Sequence, residues 1–389
     1  MLIVQQSVEP PGGGNGVAAW MVEALKRDHR VALLTWRAPD LAAVNRFFGT
    51  ALAPGDFACH VVPAAVRGAF RSSPIPLALL RDAYLMRRAR RLAPRFEVVI
   101  SAFNEGDVGP RGIQFVHYPR FDPERPAVDL RWYHRWAPLV RAYRAAVLRA
   151  TGFSAARMRR NLTLANSAWV AARLRRVHGV QPLVVHPAVA ASWSPLPWAE
   201  RENGFVCVGR LAPEKRVERV VDILARVRAR GHGVHLHVAG SVDDAAYAAA
   251  VRHLAAAHAD WISLHENLSR AALGALVSRH RFGIHGMEEE HFGMVVSEMV
   301  SAGCVVFVPA GGGQQEIVGG DERLLYRTPE EAADKIAAVL ADAARVQALR
   351  DALAPRAAAL SPERFTAAIR RIVADFGERR DAAENTNHR

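Results

Sequence analysis

Glu290 and Glu298 stand with seven residues between them, and Phe292-Gly293-Met294 in that interval reads as the entry to a helix. Phe282 to His285 has the look of a strand, Gly293 to Ala302 of an amphipathic helix, and Gly303 of its stop. The amides of Phe292, Gly293 and Met294 then form a donor cluster at a positive helix end, a seat for phosphate. A carboxylate beside a phosphate repels it, so Glu290 and Glu298 suit hydroxyl groups better, sugar hydroxyls above all. A second apolar run, Cys304 to Val308, leads into Gly311, Gly312 and Gly313, a loop free enough to let main chain lie close to a ligand. Two such loops at the ends of parallel strands describe a ligand crevice. Taken alone, the same residues also fit a solvated helix carboxylate and an exposed acidic turn at Glu288, Glu289 and Glu290.

Two cations have suitable chemistry. Phe205 to Val208 reads as a strand delivering Gly209-Arg210-Leu211-Ala212-Pro213-Glu214-Lys215 ahead of a helix from Val217 to Ala229. Arginine offers phosphate a planar fork and lysine a point charge, and together they can neutralise a leaving diphosphate; by themselves they also fit ordinary surface charges. Gln114-Phe115-Val116 runs into His117-Tyr118-Pro119, which puts a histidine at the functional rim of an open α/β sheet, although a lone histidine also fits a structural role. No Asp-x-Asp occurs, so the sequence requires no metal and assigns none.

The Glu290-x7-Glu298 spacing resembles the signature of the retaining glycosyltransferases of family 4, which have the GT-B fold. Gly283 to Met287, Glu290 to Gly293 and Val295 to Met299 are most similar to that family's α-1,2-mannosyltransferases acting on lipid-linked oligosaccharide. The resemblance implies a nucleotide diphosphate sugar donor, GDP-mannose favoured, with no separate cofactor, and a saccharide or lipid-linked acceptor. Arg210 and Lys215 match the family's diphosphate-binding cations. Glu298 falls at the ribose, Glu290 and the Gly311 to Gln314 loop (Gly312 and Gly313 included) at the hexose, and His117 near the transferred sugar. Gly13, Gly14 and Asn15 match a loop that closes over the donor diphosphate or the acceptor, while Asn166 and Ser167 match structural positions. The chain departs from the pattern at Gly313-Gln314-Gln315-Glu316, which leaves the donor sugar open.

Positioning these groups requires strands that alternate with helices, hence parallel sheets. Strands are expected at Leu2 to Val4, Val31 to Thr35, Ala58 to Val62, Val98 to Ile100, Leu162 to Asn166, Leu183 to Val185, His235 to Gly240 and Trp261 to Leu264. Helices are expected from Val17, over Pro76 to Arg95, Ala168 to Val177 and Ser269 to His280. The resemblance makes this α/β class GT-B, with two Rossmann-like domains whose parallel sheets are expected to face a cleft. Its parts are an acceptor-side domain over 1–187, a linker over 188–203 and a donor-binding domain over 204–360. A helix over 361–376 returns to the first domain, and a tail over 377–389 frays. Gly14-x-Gly16-x-x-Ala19 also fits a dinucleotide fingerprint, but about nine residues intervene after the strand where the fingerprint wants none. An NAD(P)-dependent oxidoreductase is the alternative on that ground, and a non-catalytic sugar-nucleotide or membrane-binding protein is another.

Composition bounds the class. The 389 residues carry a formal charge of +13, which calls for an acidic partner. No nucleic-acid recognition motif accompanies it, so nucleic acid is not expected. Between Arg131 and Arg160 stand eight arginines and no acid, interleaved with Trp132, Tyr133, Trp136, Leu139, Tyr143 and Val147. That mixture suits an anionic membrane surface, which a lipid-linked acceptor would give a reason for; the alternative is an amphipathic helix with a basic solvent face. Cys59, Cys207 and Cys304 are far apart among apolar neighbours, as in a reducing compartment. The opening Met1 to Val4 soon meets Glu9 and Pro10, so no signal peptide is expected, and no window resembles a membrane span. A cytoplasmic protein lying at the inner face of the membrane follows.

Overall fold

The computed structural model describes residues 1–71, 77–109, 112–120, 136–190, 193 and 196–386. Pro76, Arg131, Trp132, Tyr133 and Arg135 lie outside the described residues. The chain divides into two units, one made of Met1–Ala188 with Pro362–Arg389, the other of Val189–Ser361.

The first unit is built on β1 (Leu2–Val4), β2 (Val31–Thr35), β3 (Phe57–Val61), β4 (Val99–Ser101), β5 (Gly112–Val116), β6 (Leu162–Ala165) and β7 (Leu183–Val184). They form one parallel sheet in the order β3-β2-β1-β4-β5-β6-β7. The central strands are apolar throughout, with Leu2, Ile3 and Val4 wholly buried, because helices cover both faces of a parallel sheet. Strand order turns round between β1 and β4, and ligand crevices form outside the strand ends at such a point. The helix Gly13–Leu25 follows β1 and packs on the last helix, Pro362–Thr386. Phe365, Ile369, Ile372 and Val373 of that last helix are buried in the same core as Met21, Val22 and Leu25.

The second unit holds β8 (Glu202–Val208), β9 (Leu236–Gly240), β10 (Ile262–Glu266), β11 (His280–Ile284), β12 (Val305–Pro309) and β13 (Leu325–Tyr326), all parallel, in the order β10-β9-β8-β11-β12-β13. Here the switch lies between β8 and β11. Their C-terminal ends release the two segments that carry Arg210 with Lys215 and Glu290 with Glu298. The stacked rings of Phe205 and Phe282, 5.1 Å apart, tie these two strands together.

Several boundaries differ from the sequence expectation. The first helix starts at Gly13, not Val17, so Gly13, Gly14 and Asn15 form its opening turn. The last helix continues past Gly377 to Thr386. One glycine costs a helix only about 1 kcal/mol, and the alanine, arginine and glutamate beyond it are good helix formers. Within the expected linker, Trp198–Glu200 forms a short 3-10 turn and β8 already begins at Glu202, which pairs with His280. Among the described residues no helix is long and apolar enough to cross a membrane.

Because Phe365 is 2% exposed and faces Phe115 at a centroid distance of 6.5 Å, Phe365→Ala should cost about 3–4 kcal/mol of stability. Phe376, only partly buried at the same core, should cost clearly less on truncation. Urea unfolding of the two variants checks the order.

Candidate active site

At the end of β11 sits His285, buried, followed by a loop that brings Glu290 back over it. Glu290 Oε2 accepts from Lys215 Nζ at 2.6 Å and pairs with His285 Nε2 at 3.2 Å. Burial alone would raise the Glu290 carboxyl, but the Lys215 ammonium and the His285 bond overcome it and hold the group well below the usual carboxylate range. Burial pushes His285 the other way, so a neutral ring donates through Nε2. Lys215 reaches this position because Arg216 adopts a left-handed φ of 48° after the short turn Pro213–Lys215. Arg216 and Arg219 also grip Glu288, at 3.1 and 2.5 Å.

Glycines let these segments approach one another. A Cβ on Gly286 would stand 2.6 Å from the Lys215 carbonyl oxygen and 2.7 Å from that of Arg216. Gly311 and Gly312 press the same way on the acidic loop, with added Cβ atoms 2.6 Å from the Glu288 oxygen and 2.2 Å from the Glu290 oxygen. Gly313 donates its amide to the Glu290 carbonyl at 2.7 Å. The close approach read from this glycine run is therefore an approach to the Glu288–Glu290 main chain. Gln314, buried, gives its amide to the carbonyls of Met287 (2.8 Å) and Gly311 (3.0 Å), so it locks the loop together and its side chain faces inward.

Glu298 lies in the helix Met294–Ser301 and is held by Arg270 at 2.7 Å. Gly293, at φ 108°, precedes the helix, and no side chain caps it. Arg210 is half exposed; its fork bonds Glu214 at 2.8 Å and also Asp243. The second unit thus joins Lys215, Glu290, Gly312 and Gly313 in one contact group, with Arg210 and Glu298 each held by other carboxylate or guanidinium partners. His285, Arg270 and Asp243 belong to this arrangement and were not singled out from the sequence, whereas Gln314 was, as the end of the glycine loop. For His285 the available signal was the one used for His117, a histidine closing a strand.

In the first unit, Gly14 lies beside His117: an added Cβ would be 3.1 Å from its Nε2. His117 Nε2 donates to the Ala102 carbonyl at 2.9 Å, which sets its tautomer, and its amide donates to Asn104 at 2.8 Å. Asn15 is occupied structurally, donating to the Glu9 carbonyl at 2.7 Å and accepting from Gln5 at 2.9 Å. Gly16 is a glycine because Phe48 fills the place of a side chain, 2.8 Å from an added Cβ, so this position of the apparent dinucleotide fingerprint is a packing feature. Beneath the rim, Asp82 pairs with Arg120, and burial pushes its carboxyl up to about 6.

Residues 194–360, most of the second unit, match the family described as glycosyl transferases group 1. A GDP-Man:Man(3)GlcNAc(2)-PP-Dol alpha-1,2-mannosyltransferase of Candida glabrata is 25% identical over 170 residues, which cover 39% of this chain and 34% of that protein. The match thus spans about a third of that relative's length. Among solved structures, Anabaena HepE in complex with UDP and glucose superposes with a TM-score of 0.65 at 15% identity, covering 96% of this chain and 98% of that one. The sucrose-phosphate synthase of Thermosynechococcus elongatus gives 0.67 at 17%, covering 96% and 98%. WaaG, a glycosyltransferase involved in lipopolysaccharide biosynthesis, gives 0.63 at 17%, covering 95% and 99%. These likenesses establish the fold as GT-B, two α/β units each on a parallel sheet.

Lys215→Met should destabilise the protein by about 2–3 kcal/mol at pH 7, since it strands a largely desolvated carboxylate. The folded Glu290 titrates below its unfolded value near 4.5, so the pair's contribution is present above that pH and is lost as the pH falls through the folded value. The variant's deficit relative to wild type should therefore shrink below about pH 4.5 in urea titrations. A deficit independent of pH would assign the loss to the lysine stem.

Proposed function

We propose that the chain is a retaining glycosyltransferase that moves a hexose from a nucleotide diphosphate sugar to a saccharide or lipid-linked saccharide acceptor. The observation that carries this reading is the Lys215–Glu290–His285 contact at the end of β11, inside the segment that matches the group 1 glycosyl transferases. The cation and the acceptor are already aligned. A donor diphosphate takes over Lys215 and the Arg210 fork, and the main chain at Phe292, Gly293 and Met294, where the helix begins, faces it with the positive helix end. Glu290, released from its lysine, then accepts from a hexose hydroxyl, while Glu298 accepts from the ribose. GDP-mannose is the favoured donor, in line with the substrate in the name of the Candida glabrata relative. The UDP and glucose bound to HepE support the broader class of sugar nucleotide.

The reaction needs a charge sink on the donor side. In front-face displacement the leaving phosphate takes the acceptor's proton, and Arg210 and Lys215 stabilise the charge that develops on the diphosphate. No side-chain nucleophile is invoked; burial lifts the thiols of Cys207 and Cys304 to about 12, which keeps them protonated. His117, beside Gly14, serves the acceptor side.

The helix Ala137–Thr151 supports a peripheral attachment to membrane at the cytoplasmic face. Trp136 and Leu139 are 63% and 66% exposed, and with Tyr143 they repeat at helical spacing along one stripe flanked by exposed Arg141 and Arg144. Aromatic and aliphatic groups beside arginines suit the headgroup region of anionic lipid, where a lipid-linked acceptor would be found.

Arg210→Ala should lower turnover at least about a hundredfold, equivalent to about 2.7 kcal/mol of transition-state stabilisation. Turnover on a panel of nucleotide sugars measures this, and calorimetry with nucleotide diphosphates and NAD(P) should show binding of the former only. Activity within threefold of wild type would remove Arg210 from the site, and NAD(P) binding would favour an oxidoreductase.

Vesicles containing anionic lipid should co-sediment the protein at low salt, and neutral vesicles should not. Each arginine engaged contributes about 1 kcal/mol, so Arg141→Glu with Arg144→Glu should release it. Sedimentation that ignores lipid charge would leave the helix as a solvated basic face.

A further inference from the structure

At the opposite end of the second sheet, the strands begin on a different set of polar side chains. Glu202 opens β8, His280 opens β11 directly across from it, His235 immediately precedes β9, and His237 lies within β9. Six residue steps along β8 separate this edge from the strand end that leads to Lys215, roughly 20 Å at about 3.3 Å per residue. Glu202 Oε2 is 3.0 Å from His235 Nε2 and 3.3 Å from His280 Nε2, and the two ring nitrogens are 3.3 Å apart. With His237, one ligating atom from each of the four residues lies within 4.8 Å of every other.

Proton placement makes this convergence more than a hydrogen-bonded cluster. The Leu276 carbonyl can only accept, so the 2.7 Å contact from His280 Nδ1 puts that ring's proton on Nδ1. Neutral His280 then presents a lone pair on Nε2, aimed at a carboxylate oxygen and a second ring nitrogen. One proton on His235 can satisfy Glu202, and the His280 lone pair still faces that of the carboxylate. A dication at the centre satisfies all of them together. Ligands bound at about 2.0–2.1 Å around tetrahedral zinc stand about 3.3 Å from one another, the spacing already present among these three atoms.

The surroundings are those of a supported ligand set. His237 Nδ1 bonds His265 Nε2 at 2.8 Å, which orients the ring and leaves Nε2 for an ion, while Arg279 holds the other Glu202 oxygen at 3.1 Å. Gly204 has no side chain where His235 lies; an added Cβ would be 2.1 Å from His235 Nε2. His280 is wholly buried, whereas the side chains of Glu202 and His235 are 39% and 35% exposed and give an ion a way in.

We propose that Glu202, His235, His237 and His280 bind one zinc ion. Three imidazoles and a carboxylate suit zinc over magnesium or calcium, and four protein ligands leave no open position for a substrate, so the ion is structural. The proposal does not depend on the transferase reading.

The test uses the full-length protein, stripped with chelator and dialysed. Zinc calorimetry should give one site per chain with a dissociation constant below about 1 µM, and saturating zinc should raise the thermal midpoint by about 5 °C, with magnesium silent. His280→Ala would hollow out a buried position, so the partly exposed His235→Ala carries the test. It should weaken zinc at least about tenfold and abolish the thermal shift, with sugar transfer within twofold of wild type. His253→Ala, exposed and outside the cluster, should bind as wild type does. Failure of the wild type to bind one zinc, or equal binding by His235→Ala, would reduce the cluster to hydrogen-bonded histidines.

Discussion

A carboxylate removed from water has to be compensated, and Glu290 imposes that requirement on three separate segments of the second unit. Its charge is met by Lys215 after β8 and by His285 after β11, while its main chain is met by Gly312 and Gly313 after β12. Arg216 and Arg219 complete the enclosure by holding the neighbouring Glu288. Arg219 apart, which lies in the helix Val217–Ala229, each of these contacts comes from the C-terminal end of a strand or the turn beyond it. The parallel order β8-β11-β12 is what makes all of them reachable at once. Both the charge of Glu290 and its main chain are thus met wholly from within the second unit.

Much of this was legible in the sequence because the informative residues were local. Alternation of apolar runs and helical periods gives parallel sheets directly, and Glu290, Glu298, Arg210 and Lys215 sit in short segments at strand ends. The partners of those residues were not legible in the same way. That Lys215 meets Glu290, 75 positions away, or Arg270 meets Glu298, is a property of sheet order, which spacing along the chain does not encode. The glycines illustrate the same boundary. Gly311 and Gly312 announce a close approach of backbone, and only the fold says that the neighbour is the acidic loop. Helix ends were misplaced where a glycine reads as a stop or a loop, at Gly13 and at Gly377, although one glycine costs a helix little.

The two ends of the second sheet carry different chemistry on the same strands. At the C-terminal ends, Arg210, Lys215 and Glu290 lie on the segments between strands and helices. At the N-terminal edge, Glu202, His235 and His280 stand on or beside the strands themselves, with His280 wholly buried. Main-chain pairing between β8 and β11 fixes Glu202 against His280, so that edge is set by the same ladder that spaces the loops carrying Lys215 and Glu290.

The last helix has a bearing on synthesis as well as on packing. Phe365, Ile369, Ile372 and Val373 complete a core whose remaining members lie in the first 188 residues, and the whole second unit is translated in between. A ribosome adding about 5–20 residues per second needs roughly 10–35 s for those intervening residues. Throughout that interval the apolar face of Gly13–Leu25 lacks its cover, while the second unit, being continuous in sequence, can close as soon as it emerges. The nascent first unit is therefore the part of this chain with the greatest call on a chaperone.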